Sequence, residues 1–222
     1  MPATISVFQW VILGSFLSIL LPLAAGWRRY RQLPPSLQNI FWFCVGAFLL
    51  DACSRILWLL SIPNLFFGHI STLVEFLFLT NAFRLTFGNF ISSRLMYVVM
   101  AIFSLLAIAN STFLQDFQHN NSYIKILESA ILILLSLTYY YKLILEMKVF
   151  HLERHPFFWI NTAILIYFSS SLFVFIYSNY LLYYSHQAGI QIWFIHSLFF
   201  ILFNCILSIG LWIVPKNSNL SS

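Results

Sequence analysis

The chain has 222 residues, of which 61% are hydrophobic and only 8% charged, against about 25% charged in soluble domains. Its mean hydropathy of +0.87 and its repeated apolar runs of 18 or more residues exclude a soluble enzyme and define a polytopic membrane protein. The formal net charge of +5 does not point to nucleic acid, because the basic residues follow span ends and form no soluble patch.

The fold class expected is all-α, a seven-transmembrane-helix bundle forming a single domain over residues 1–222. The first span is placed at about 5–27 and is followed at once by Arg28, Arg29 and Arg31. That order reverses the layout of a secretory signal. After the Pro34-Pro35 turn a second span covers about 37–60, and a third about 70–87, stopped by Gly88 and Asn89. The fourth, about 94–114, leads into the polar segment 115–122. The fifth runs over about 123–147, and Pro156, a first-turn proline, opens the sixth at about 156–182. The seventh, about 189–214, closes at Pro215.

This layout puts Arg28, Arg29, Arg31, Arg84, Arg94, Lys142, Lys148, Arg154 and Lys216 on one side and only Lys125 on the other. By the positive-inside rule the N-terminus is expected outside and the C-terminus inside. Cys44, Cys53 and Cys205 all fall in apolar runs without CxxC spacing, which reads as buried free thiols. No connection is long enough to fold alone, and no phosphate-binding glycine motif occurs. Chemistry must then happen within the bundle, and a signal must leave through a partner membrane or cytoplasmic protein.

Charged residues inside spans cost about 2.5 to 3.5 kcal/mol each and call for a shared reason. At 1.5 Å per residue, Arg55, Glu75, Glu128 and His196 all lie about 8 to 9 Å below one membrane boundary, with Asp51 about one turn deeper. Gln9, Asn110 and Asn179 fall at nearly the same level, so every span offers a polar group there. Asp51, Arg55, Glu75, Glu128, His196, Gln9, Asn110 and Asn179 are the candidate ligand-binding residues. Three carboxylates against one guanidinium leave excess negative charge, which a bound cation, a protonated acid or a cationic ligand would balance. A purely structural interhelical network is the plain alternative.

Glu75, Glu128 and His196 are the set that could hold a metal, as in an intramembrane hydrolase acting on lipid. No catalytic residue is assigned. A proton or ion pathway would need polar groups reaching the other face, and Asn81, Arg84, Asn161 and Asn204 are the candidates. Asn81 and Arg84 point away from the Glu75 face by helical angle, which interrupts the path. The HLERH stretch, His151 to His155, reads as a solvated loop. Retinal is not expected as a cofactor, since span seven has no lysine and Lys216 lies beyond Pro215.

The stretches Asp51 to Arg55, Pro63-Asn64, Glu75-Phe76, PFFWINTAILIY from Pro156 to Tyr167, and WFIHS from Trp193 to Ser197 resemble a set of seven-span proteins of certain Gram-negative bacteria that carry no assigned activity. The resemblance implies a bacterial cytoplasmic membrane location and nothing about substrate. The function expected is a receptor-like, sensor or scaffold protein with an outward-facing polar pocket for a small molecule or cation. A metal-assisted lipid hydrolase and an ion- or proton-coupled transporter are the alternatives.

Overall fold

The structure, a computed structural model, describes residues 7–115, 121–146, 151–184 and 186–214, with the side chains of residue 7 and of 178–190 excepted. The described residues are helical with short connections and no strand. Seven helical segments are long and apolar enough to cross a membrane. The first is broken into α1 (Val7–Ser18) and α2 (Leu20–Arg29). The others are α3 (Pro35–Leu59), α4 (Phe66–Phe87), α5 (Ser93–Ala109), α6 (Ser122–Glu146), α7 (Pro156–Tyr184) and α8 (His186–Trp212).

The break at Ile19 follows from Pro22. Proline lacks an N–H and its ring crowds the carbonyl four residues back, here that of Ser18. The backbone bonds that remain at the joint are long: Ile19 N to Phe16 O and Leu23 N to Ile19 O, both 3.3 Å. α8 seals the joint, since Asn204 Nδ2 donates to Ser18 Oγ at 2.9 Å. At the other punctuation points the sequence acts as expected. Pro35 starts α3, and Gly88, at φ +55°, stops α4 in a conformation that only glycine adopts without strain.

Packing closes six spans into a ring. α1 and α2 lie on α8, α8 on α7, α7 on α6, α6 on α4, α4 on α3, and α3 returns to α2. α5 stands outside the ring against α4. It buries one stripe, Met96, Met100, Phe103 and Ala107, whose three- and four-residue steps mark a single helical face. Phe103 stacks on Phe76 with ring centroids 3.7 Å apart. Leu105 and Leu134, each about two-thirds exposed, belong to the apolar outer surface that lipid covers.

The two ends of the ring differ, and are named here by Pro63, between α3 and α4, and by Arg28. Most of the apolar core lies toward the Arg28 end. In α3 it takes Leu37, Ile40, Phe41, Phe43 and Cys44 and nothing beyond; in α8 it takes Phe203, Leu207 and Leu211. Because lipid tails are as apolar as leucine, close packing and polar contacts hold such helices together more than burial does. Gly210 shows how close: a Cβ there would meet Ile160 Cδ1 at 2.7 Å and Pro156 O at 3.0 Å.

Two expectations need correction. Cys53 is exposed, because it lies two residues, about 200° around the helix, from Asp51, and Asp51 faces inward. The third span starts at Phe66, four residues early, and this draws His69 into the bundle, where its Nδ1 lies 2.7 Å from Ser111 Oγ.

Candidate functional site

A lysine joins two of the expected acids. Lys125 and Glu128 are three residues apart in the first turns of α6 and therefore share a face. That face meets Glu75 on α4. Lys125 Nζ donates to Glu75 Oε2 at 2.5 Å and lies 2.8 Å from Glu128 Oε2. The Lys125 and Glu75 side chains are 13% and 11% exposed, and that of Glu128 is fully enclosed. The Glu128 contact is ionic without a directed hydrogen bond, since neither of its oxygens has a hydrogen-bond partner.

Beside this triad the ring encloses a cavity of about 170 Å³. Each ring span contributes to its wall: Ile19 at the break in span one, Asp51 from α3, Glu75 from α4, Lys125 from α6, Tyr167 from α7 and Phe200 from α8. α5 contributes nothing to this wall among the described residues. Asp51 also receives Arg55 Nε at 3.2 Å, and the Arg55 guanidinium sits 4.7 Å from the Phe16 ring. This second pair is about one-third exposed, so the charge runs from a half-open pair at Asp51 to a closed one at Glu128.

His196 stands one ring away. Its imidazole lies 5.6 Å from Tyr167, 5.8 Å from Phe175 and 5.7 Å from Trp193 between centroids. Its Nδ1 is buried without a hydrogen-bond partner. Tyr167 reaches the cavity and His196 does not. No group of three or more His, Cys, Asp or Glu among the described residues is placed to hold a metal, and the position between Glu75 and Glu128 belongs to the Lys125 ammonium.

The remaining expected residues are dispersed. Gln9 is exposed on α1. Asn110 is buried in a wide, π-type turn, Asn110–Leu114, at the end of α5, where its Nδ2 donates to Gln115 Oε1 at 3.4 Å. The Asn179 side chain lies outside the described residues, as do Lys148 and Lys216. Asn81 and Arg84 form a separate network: Asn81 donates to Asn39 Oδ1 at 2.8 Å, Arg84 Nε donates to Asn81 Oδ1 at 2.9 Å, and Arg84 covers Tyr97. Asn39, Asn81 and Tyr97 line a groove between α3, α4 and α5, outside the ring. In HLERH, His151 pairs with Glu153 at 3.1 Å while His155 turns to Tyr139 at 3.3 Å, so the two histidines take different partners.

Sequence reasoning missed Lys125 and Tyr167. Lys125 reads as a span-end charge, yet its spacing to Glu128 puts both on one helix face, and that was the signal available. Comparison of the chain with known protein families, curated proteins and solved structures finds no match, so functional argument rests on this geometry.

Proposed function

We propose that the chain is a membrane-embedded binding protein of receptor or sensor type, whose central cavity takes a small cation or cationic ligand and whose helix packing is read by a partner. The observation that carries this reading is the position of Glu75, which shares the cavity wall with Asp51 and is held by Lys125. Two carboxyl groups around one ammonium are balanced either by a proton on one of them or by a second cation, and it is the second cation that is proposed here. A cation entering beside Asp51 competes with Lys125 for Glu75 and leaves Lys125 to Glu128.

The cavity is smaller than the roughly 300 to 1,000 Å³ of drug-sized sites, which favours a ligand of a few heavy atoms. The asymmetry of basic residues supports an external N-terminus, with the cavity then near the outer face. The resemblance to Gram-negative seven-span proteins supports a bacterial cytoplasmic membrane. Thermal unfolding of the detergent-purified protein tests the binding reading. Methylammonium, sodium or potassium chloride is expected to raise the midpoint of the wild type above that in N-methylglucamine chloride, and Asp51→Asn to remove the rise. Equal midpoints for all these salts in the wild type would overturn it.

Proton-coupled transport is the second reading, favoured by one observation. Thr80 Oγ1, Ser136 Oγ and Asn161 Oδ1, on α4, α6 and α7, are buried without partners, and such groups commonly hold internal water. Ser136 lies eight residues, about 12 Å, along α6 from Glu128, with the fully buried Leu132 between them. Proton flux into liposomes that disappears in Glu75→Gln would favour this reading over simple binding. The lipid-hydrolase reading has no supporting donor set among the described residues.

A further inference from the structure

At the Arg28 end the first span tightens into a 3₁₀ turn, Tyr30–Gln32, before Pro34. The turn wraps Trp27, Arg28, Tyr30 and Arg31 around a cleft of about 490 Å³. Arg29 is committed to holding the bundle together. Its Nη1 donates to Val214 O at 3.1 Å, and its guanidinium lies 5.2 Å from the Trp212 ring. Arg28 and Arg31 are exposed and meet no acid among the described residues. Asp51, Glu75 and Glu128 are engaged in the central site, Glu146 lies 3.8 Å from Lys142, and Glu153 pairs with His151.

A second hollow, of about 310 Å³, runs between α2 and α8 from Leu21 to Arg28. Ala24, Ala25 and Ser208 line it, side chains too short to fill the space between the helices. Seven residues separate Leu21 from Arg28, so the groove follows α2 for about 10 Å. Its wall is mostly apolar, with Ile209, Trp212 and Ile213 on the α8 side. Arg28 borders both hollows.

We propose that the two hollows form one site for an anionic phospholipid, with the phosphate on Arg28 and Arg31 and one acyl chain in the groove between α2 and α8. Charge complementarity selects the headgroup, since the two guanidiniums have no counter-ion among the described residues. Adjacency selects a lipid over free phosphate, because Arg28 lines both the cleft and an apolar slot directed along the spans. Trp27 is 78% exposed and Trp212 47% exposed, and they flank the site at the level where indole rings partition into the headgroup region. Bound lipid covers the seam between the first and last spans that Arg29 and Val214 close.

Native mass spectrometry of delipidated protein tests this, with dioleoylphosphatidylglycerol, dioleoylphosphatidylcholine and inorganic phosphate as probes. The wild type is expected to retain phosphatidylglycerol several-fold over phosphatidylcholine, without displacement by phosphate. Arg28→Gln with Arg31→Gln is expected to abolish the preference, and Ala24→Leu to reduce retention of phosphatidylglycerol by filling the groove. Unchanged lipid-free thermal midpoints report that both variants fold. Equal retention of the two lipids by the wild type, or unchanged preference in the arginine variant, would overturn the site. Displacement by phosphate together with an inert Ala24→Leu would assign the cleft to a free anion and overturn the lipid.

Discussion

The Pro63 half and the Arg28 half of the ring use the same helices and opposite construction. Toward Arg28, α3, α4, α7 and α8 present Phe41, Phe83, Ile160 and Leu207, all nearly or fully buried, and Gly210 lets α7 and α8 approach closely. Toward Pro63 the ring opens around a cavity and is held by the Glu75–Lys125–Glu128 triad and the Asp51–Arg55 pair. Shape complementarity fixes the first half and tolerates small changes in charge. Charge balance fixes the second, where space remains for rearrangement. A ring held by packing at one end and by charge at the other is expected to yield to changes in charge first at the second.

The largest effect expected is at Lys125. Lys125→Met leaves Glu75 and Glu128 facing each other without a cation, and breaking a buried pair costs about 3 to 5 kcal/mol. A loss of that size is expected in the unfolding free energy, measured by denaturant titration in micelles. Adding Glu128→Gln to Lys125→Met should recover part of it, since the enclosed charge is then removed with its partner. If Lys125→Met were neutral, the Pro63 half would not depend on charge balance and the contrast between the halves would fail there.

Gly210→Ala probes the packed half and should come next. The new Cβ would fall 2.7 Å from Ile160 Cδ1 and 3.0 Å from both Ile160 Cγ1 and Pro156 O. The side chain can shift but the carbonyl is backbone, so overpacking of about 1 to 3 kcal/mol is expected. Gly46→Ala is the control, because its Cβ would meet only Val74 Cγ1 at an ordinary 3.6 Å. Comparable losses in the two variants would show that the Arg28 half is not the tighter one.

Much of this division was legible before any coordinates. Helical rise alone put Asp51, Arg55, Glu75 and Glu128 at nearly one depth, and the structure brings Asp51, Glu75 and Glu128 around one cavity or its adjoining triad. Rise says nothing about azimuth between helices, however. His196 shares that depth yet lies behind Tyr167, and Asn110 belongs to the turn that ends α5, which the ring excludes. Which helices neighbour each other follows from packing of whole faces, and no short motif encodes it. The break at Ile19 was written in Pro22, four residues past Ser18, but an apolar run long enough to span hides it. Lys125 was obscured for a related reason. A cation near a span end normally serves topology, and only its three-residue spacing from Glu128 distinguishes this one.

His155, at the Arg28 end, gives the smallest and most conditional effect. Burial holds its imidazole below the ordinary histidine value, and the positive charge of Lys142 adds to the shift. Tyr139 Oη lies 3.3 Å from Nδ1, a hydrogen bond that a neutral ring makes as acceptor or as donor according to its tautomer. Lys142 is itself fixed there by donating to Thr86 O at 2.8 Å and Phe87 O at 3.1 Å. A folded-state value below the unfolded one, about 6.5, means that folding favours the neutral form. The contribution is therefore complete above about pH 6.5 and is lost as pH falls toward the folded-state value. The thermal midpoint of the wild type is expected to fall more steeply than that of His155→Gln on acidification through this range. The other histidines are common to both proteins, so the difference isolates one ring. Since that ring is only partly buried, the gap stays small. Parallel profiles would mean that protonated His155 is accommodated at no cost, and that the Arg28 half, like the other, can yield to charge.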